Sequence, residues 1–165
     1  MKTKEEKTNV IRILEQSQVQ FQTHTYLNTK AVSGQEVAAV LQEDPDMVFK
    51  TLVTVSKNNQ HHYVFLVPVS SNLDLKKAAS VVGEKSLEML KSKELLSLTG
   101  YVHGGCSPIG MKKPFNTIID ESARNYPTII FSGGKIGYQV EISLSELAKV
   151  IPINLANIKE DNTNK

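Results

Sequence analysis

Lys50 lies in Val48-Phe49-Lys50-Thr51-Leu52-Val53-Thr54-Val55, where its neighbours are apolar or threonine. Strand alternation puts Val48, Lys50, Leu52 and Thr54 on one face and Phe49, Thr51, Val53 and Val55 on the other. Both faces are largely apolar, so the ammonium stands on a surface that otherwise favours burial. A buried ammonium needs an anion, a cluster of carbonyls or water, because burying it unpaired is costly. Lys50 is therefore either an edge lysine whose stem packs while its head reaches solvent, or a lysine directed into a pocket that receives an anionic substrate.

The run Gly100-Tyr101-Val102-His103-Gly104-Gly105-Cys106-Ser107-Pro108-Ile109-Gly110-Met111-Lys112-Lys113 carries four of the nine glycines, one of the six prolines and the only cysteine. Glycine lets a ligand approach the backbone closely, and Pro108 pushes Ser107 towards an extended shape. This is a shaped loop, neither a regular helix nor a central strand. Phe131-Ser132-Gly133-Gly134-Lys135-Ile136-Gly137 has the same character. Taken singly, each Gly-Gly pair reads as a turn beside a solvated lysine. Taken together, two such loops read as two walls of one anion-binding pocket. Neither is a Walker loop or a dinucleotide fingerprint.

Cys106 is either a small packed thiol or a nucleophile, and no activating partner adjoins it in the sequence. His24, His61, His62 and His103 are not spaced as ligands, so no metal and no cofactor are expected.

These residues must be positioned by one α+β domain of 165 residues, long enough to bury a real core. An apolar fraction of 40% and a charged fraction of 22% are those of an ordinary globule. No apolar run reaches membrane-spanning length. Met1-Lys2-Thr3-Lys4-Glu5-Glu6-Lys7 has charge but no apolar core behind it, so no secretory signal is expected. One cysteine fits a reducing cytoplasm. A net charge of +2 makes any nucleic-acid contact a local patch.

In chain order the pattern predicts a helix over Thr8 to Gln16 and a strand over Phe21 to Tyr26. Ser33-Gly34-Gln35-Glu36 is a capping box opening a helix with Val37, Val40 and Leu41 buried. Strands at Val48 to Val55 and His62 to Val69 follow as a hairpin. Helices are predicted over Asp74 to Val82, Ser86 to Leu90 and Ser92 to Leu98. Thr117 to Ile119, Thr128 to Phe131 and Tyr138 to Ile142 read as strands, with Asp120 to Asn125 a helical turn and a last helix from Ser143. The expected architecture is a single mixed, mostly antiparallel sheet surrounded by short helices, over residues 1–158. Residues 159–165 read as a disordered polar tail.

Three ordered segments, Phe49-Lys50-Thr51-Leu52-Val53, Gly100 to Gly110 and Phe131 to Gly137, resemble the YbaK/EbsC family. These are bacterial free-standing editing domains related to the insertion domain of prolyl-tRNA synthetase. The resemblance runs from about Val10 to Leu155, and Asp74-Leu75-Lys76-Lys77 and Thr117-Ile118-Ile119-Asp120 also match family segments. It implies deacylation in trans of mischarged tRNA(Pro), above all cysteinyl-tRNA(Pro), in the cytoplasm, with no membrane. Prolyl-tRNA synthetase would be a possible third member of the complex. Lys50 matches the family's functional, catalytic lysine. Tyr26, Gly104, Gly105, Ser107, Pro108, Ser132, Gly133 and Gly134 match substrate-site positions. Cysteine-specific relatives are thought to use the substrate's own thiol as nucleophile, leaving positioning and charge stabilisation to the protein. The alternative is a non-catalytic module binding the tRNA end or a nucleotide. Cys106 stands where the family pattern has an aliphatic residue, and Ile136 where an arginine often stands. Lys112, Lys113 and Lys135 would supply a basic patch for the phosphate backbone.

Overall fold

The computed structural model describes residues 7–27 and 29–161. The N-terminal charge run, apart from Lys7, and the last four residues of the polar tail lie outside them.

Helix α1 (Asn9–Gln16) opens on Thr8, whose side chain caps Ile11 N–H, and it buries Val10, Ile11 and Leu14. β1 (Gln22–Thr25) follows. The capping box forms as expected at α2 (Gly34–Leu41): Ser33 accepts from Glu36 N–H while the Glu36 carboxylate reaches back. Such a cap contributes about 1 kcal/mol. The buried stripe of α2 differs from the expected one. Val37 and Ala38 are buried, whereas Val40 is 50% exposed.

β2 (Phe49–Ser56) and β3 (His62–Pro68) make the long antiparallel hairpin. α3 (Leu75–Val82) is capped by Asp74 and ended by Gly83. Residues expected to form a helix at Ser86 to Leu90 instead contain the strand β4 (Leu87–Met89), paired with Thr54 to Ser56 of β2. α4 (Ser92–Thr99) leads into the long glycine loop. Then come β5 (Asn116–Asp120), a 3-10 turn at Glu121–Asn125, β6 (Ile129–Ser132), β7 (Tyr138–Ile142), α5 (Leu144–Leu147) and a strand the sequence did not announce, β8 (Asn154–Ala156).

The strands form two sheets rather than one. A three-stranded sheet has the order β1-β7-β6 and a five-stranded sheet the order β4-β2-β3-β5-β8. Most pairs are antiparallel, but β5 runs parallel to both β3 and β8. A bridge between Val48 and Ile130 joins the sheets at one corner. The main core lies between them, filled by Val10, Leu14, Phe49, Leu66, Phe131 and Val140 among others. On its other face the large sheet packs Phe65, Val67 and Ile118 against Ala78, Ala79 and Ile158. Burial on both sides explains why β2 and β3 read as apolar on both faces.

The first residues of the expected tail are tied down. Asp120 is 1% exposed, and its Oδ1 accepts from Ile158 N–H and Lys159 N–H at 3.0 and 3.1 Å. Lys77 Nζ donates to Lys159 O at 2.9 Å and to Asp161 Oδ1 at 2.7 Å.

Candidate active site

A cavity of about 480 Å³ opens where β2, the start of α2 and the two glycine loops converge. Phe49, Lys50, Thr51 and Leu52 line it from β2, Tyr26 from the end of β1, and Ser70 to Asn72 from the turn after β3. His103, Gly104 and Cys106 enter from the first glycine loop, and Ser132, Tyr138 and Gln139 from β6 and β7. Of the residues singled out in the sequence, the structure gathers Tyr26, Lys50, Gly104 and Ser132 around this opening. Gly105, Ser107, Pro108, Gly133 and Gly134 are not in its lining.

Lys50 is partly buried. Loss of water lowers its pKa, and the charge of Glu160 partly restores it. Burial thus disfavours the charged ammonium while the nearby carboxylate favours it. Glu160 is brought close by the C-terminal segment, where its N–H donates to the carbonyl of the cavity residue Asn72 at 2.8 Å. Thr51 Oγ1 is buried without a hydrogen-bond partner among the described residues, as is Gln139 Oε1. Neither residue carried a sequence signal of its own. Thr51 was visible only as a neighbour of Lys50, and Gln139 stands in an unremarkable alternating strand.

The glycine loops touch each other. A Cβ on Gly105 would lie 3.2 Å from Ile136 N and 3.3 Å from Lys135 Cα, so this glycine allows two backbones to pack. Gly104 has φ +89°, and a Cβ there would meet Val32 at 3.2 Å and Ile136 at 3.5 Å, at the cavity mouth. The first loop is held from within: Tyr101 Oη donates to Ile109 O at 2.5 Å. Ser107, fully buried, spends its Oγ accepting from Ile109 N–H at 3.3 Å.

The second loop is fastened to α1. Thr8 Oγ1 donates to Gly133 O at 2.6 Å, and Gly133 N–H donates to Tyr138 O at 2.8 Å. Gly134 N–H donates to Ser132 Oγ at 3.1 Å. A Cβ on Gly134, at φ +100°, would lie 2.8 Å from Val10 Cγ2. Only Ser132 of this loop's Ser-Gly-Gly reaches the cavity.

Burial pushes the Cys106 thiol up to about 12, with Thr99 opposing, so near neutrality it is a thiol and not a thiolate. Tyr101 is likewise pushed up to about 12, by burial and by Cys106. Lys112, Lys113 and Lys135 are exposed. Among the described residues no cluster of His, Cys, Asp or Glu could hold a metal ion, and no helix is long and apolar enough to cross a membrane. The arrangement offers a cation, hydroxyls and loop backbone around a cavity, and the thiol in its wall is protonated.

A family model described as the aminoacyl-tRNA editing domain matches residues 28–150. A relative in Enterococcus faecalis, named for Cys-tRNA(Pro)/Cys-tRNA(Cys) deacylase EbsC, is 43% identical over 143 residues, covering 86% of this chain and 87% of its own. Among solved structures, one described as a trans-editing enzyme for prolyl tRNA synthetase superposes with a TM-score of 0.79 at 26% identity, covering 93% of this chain and 99% of that one. A hypothetical protein at 19% identity superposes with a TM-score of 0.82, covering 92% and 99%, and shares the fold alone.

Proposed function

The chain belongs to the aminoacyl-tRNA editing domain family, and on that premise we propose that it is a trans-editing hydrolase that deacylates mischarged tRNA(Pro), chiefly cysteinyl-tRNA(Pro), in the cytoplasm. The observation that carries this reading is a cavity holding the desolvated Lys50 but no activated protein nucleophile, since the one cysteine in its wall is kept protonated. The substrate then has to bring its own. The cysteine thiol sulfur attacks the aminoacyl carbonyl carbon, the ester C–O bond breaks, and the released ribose oxygen takes up the proton that the thiol gave. A cyclic thiolactone leaves, to be opened by water in solution.

In this scheme Lys50 is the catalytic residue, stabilising negative charge as it develops beside the carbonyl. Tyr26, Gly104 and Ser132 shape the pocket and hold the ester in attacking geometry. Gly105, Ser107, Pro108, Gly133 and Gly134 act behind them, keeping the two loops in register. Lys112, Lys113 and Lys135 draw in the phosphate backbone. Residues 1–158 act as the editing unit, with tRNA as partner and prolyl-tRNA synthetase as a third component where the mischarged product is handed over directly.

A deacylation panel tests this. Cysteinyl-tRNA(Pro) should be cleared well above the buffer rate, and seryl-tRNA(Pro) far more slowly, because its hydroxyl is a much weaker nucleophile in a side chain of similar size. Equal rates for serine and cysteine would end the thiol-assisted scheme. Binding of tRNA(Pro) without turnover would leave a module that holds the tRNA end.

A further inference from the structure

We propose that Gln139, backed by Glu43, recognises the free α-amino group of the aminoacyl ester and so restricts the site to esters that carry one. The inference rests on the deacylase reading above and extends it to a substrate class. Gln139 lies on β7 between Ser132 of β6 and His24 of β1 in the strand register. It lines the cavity and is 5% exposed, yet its Oε1 has no hydrogen-bond partner among the described residues. A buried amide oxygen left unpaired is destabilising unless something arrives to donate to it.

Behind Gln139 lie two carboxyl groups and an imidazole. Gln42 ends α2 in the left-handed conformation, φ 56°, and Glu43 N–H then donates to Ala38 O at 2.9 Å. This turn sets the Glu43 carboxyl in a buried position beside the Gln139 amide. Burial raises its pKa; the Gln139 amide and His24 draw it back down, while Glu141 opposes them. Glu141 itself is held by His24 Nε2 at 2.7 Å and Thr128 Oγ1 at 2.5 Å. Gln139 therefore has the carboxyl groups of Glu43 and Glu141 behind it, and the Lys50 ammonium belongs to the same cavity lining.

An aminoacyl ester carries an ammonium on the carbon next to its carbonyl, and the scheme above places that carbonyl at Lys50. Docked this way, the ammonium donates to Gln139 Oε1 and lies in the field of Glu43. That field favours a cation, and its arrival stabilises the buried Glu43 carboxylate in turn. Esters whose amine is blocked or missing, such as N-acylated aminoacyl or peptidyl tRNAs, would leave the amide oxygen unpaired and would be selected against.

The test uses two esters of tRNA(Pro), cysteinyl and 3-mercaptopropionyl, which share the thiol and differ in the amine. Rates are corrected for each ester's spontaneous hydrolysis. Wild type should prefer the cysteinyl ester, and Gln139→Leu should reduce that preference, as a ratio of kcat/KM values, by roughly 10- to 100-fold. Glu43→Gln should reduce it less, mainly through KM, and Gln139→Glu, which keeps an acceptor, should retain it even if Gln139→Leu folds poorly. The inference is overturned if wild type clears both esters alike, or if Gln139→Leu slows both by the same factor, which is what a purely structural glutamine would do. If wild type clears neither ester above buffer, the deacylase reading falls and this one falls with it.

Discussion

On the β2 side of the cavity, Lys50, Thr51 and Leu52 line the opening from a strand paired with β3 along its length. On the far side Gly104 and Ser132 reach it from turns whose neighbouring glycines are packed against other parts of the chain. One wall presents a functional group on a finished scaffold; the other is scaffold whose outer edge happens to be exposed. Two loops of the same glycine-rich composition thus present mostly packed backbone to this cavity, where β2 presents a charged side chain. A substitution on the first wall should separate activity from stability, and one at the packed glycines behind the second, Gly105, Gly133 or Gly134, should act on activity mainly through stability.

The largest expected effect breaks the first wall. Lys50→Ala removes a charge contact that typically contributes on the order of 100-fold to rate. Deacylation of cysteinyl-tRNA(Pro) should fall by about that factor, with a Tm close to wild type because the alanine leaves the β2–β3 ladder intact. A folded variant with near-normal turnover would return Lys50 to the class of solvent-reaching strand lysines.

A smaller effect, in a different observable, sharpens the second wall. Gly134→Val sets a branched side chain at φ +100° and 2.8 Å from Val10 Cγ2, a strain of roughly 2–3 kcal/mol. Melting should drop by roughly 5–10 °C, while the rate per folded molecule stays within a few-fold of wild type. Unchanged melting together with lost turnover would mean that this loop meets substrate after all.

The smallest effect concerns Cys106. Cys106→Ala should keep deacylation, since the thiol is packed and protonated. Its signature belongs at alkaline pH. The folded thiol titrates near about 12 rather than the ordinary 9, so the stability it contributes is complete below pH 9. That stability is lost as pH rises from 9 towards 12, where the unfolded chain gives up the proton first. Cys106→Ala should therefore show a shallower loss of Tm across that window than wild type. The slope due to Tyr101, raised from 10 to about 12, remains in both.

Much of the fold could be read directly from local chemistry. Ser33 and Glu36 form the capping box their spacing implies, and alternation in β2 assigns Lys50 and Phe49 to opposite faces, as the separate cores behind them confirm. What escaped is what depends on distant partners. Ser86-Leu87-Glu88-Met89-Leu90 is made of good helix formers, but β2 offers it an open edge and it pairs there as β4. β8, Asn154–Ala156, is too short to show a period and exists through its parallel pairing with β5. The division into two sheets was equally invisible, because strand patterns do not say which strands share a ladder. At the cavity, Lys50 stood out as a charge among apolar residues. Gln139 and Glu43 did not, because ordinary polar residues become unusual only when burial removes them from water. The two glycine loops looked alike in sequence and differ in what each packs against.

The small sheet joins β1, near the start of the described chain, to β7, so that His24 meets Glu141 across a separation of 117 residues and Thr8 meets Gly133 across 125. During synthesis from the N-terminus, α1 and β1 leave the ribosome long before the strand and loop that complete them. Closing so long a loop carries an entropic cost that no early contact offsets. Tyr26, Ser132 and Gln139 come together only when that closure occurs. A chain interrupted before residue 138 could fold the β2–β3 hairpin and still have no cavity, so a nascent protein gains its site in one late step instead of by degrees.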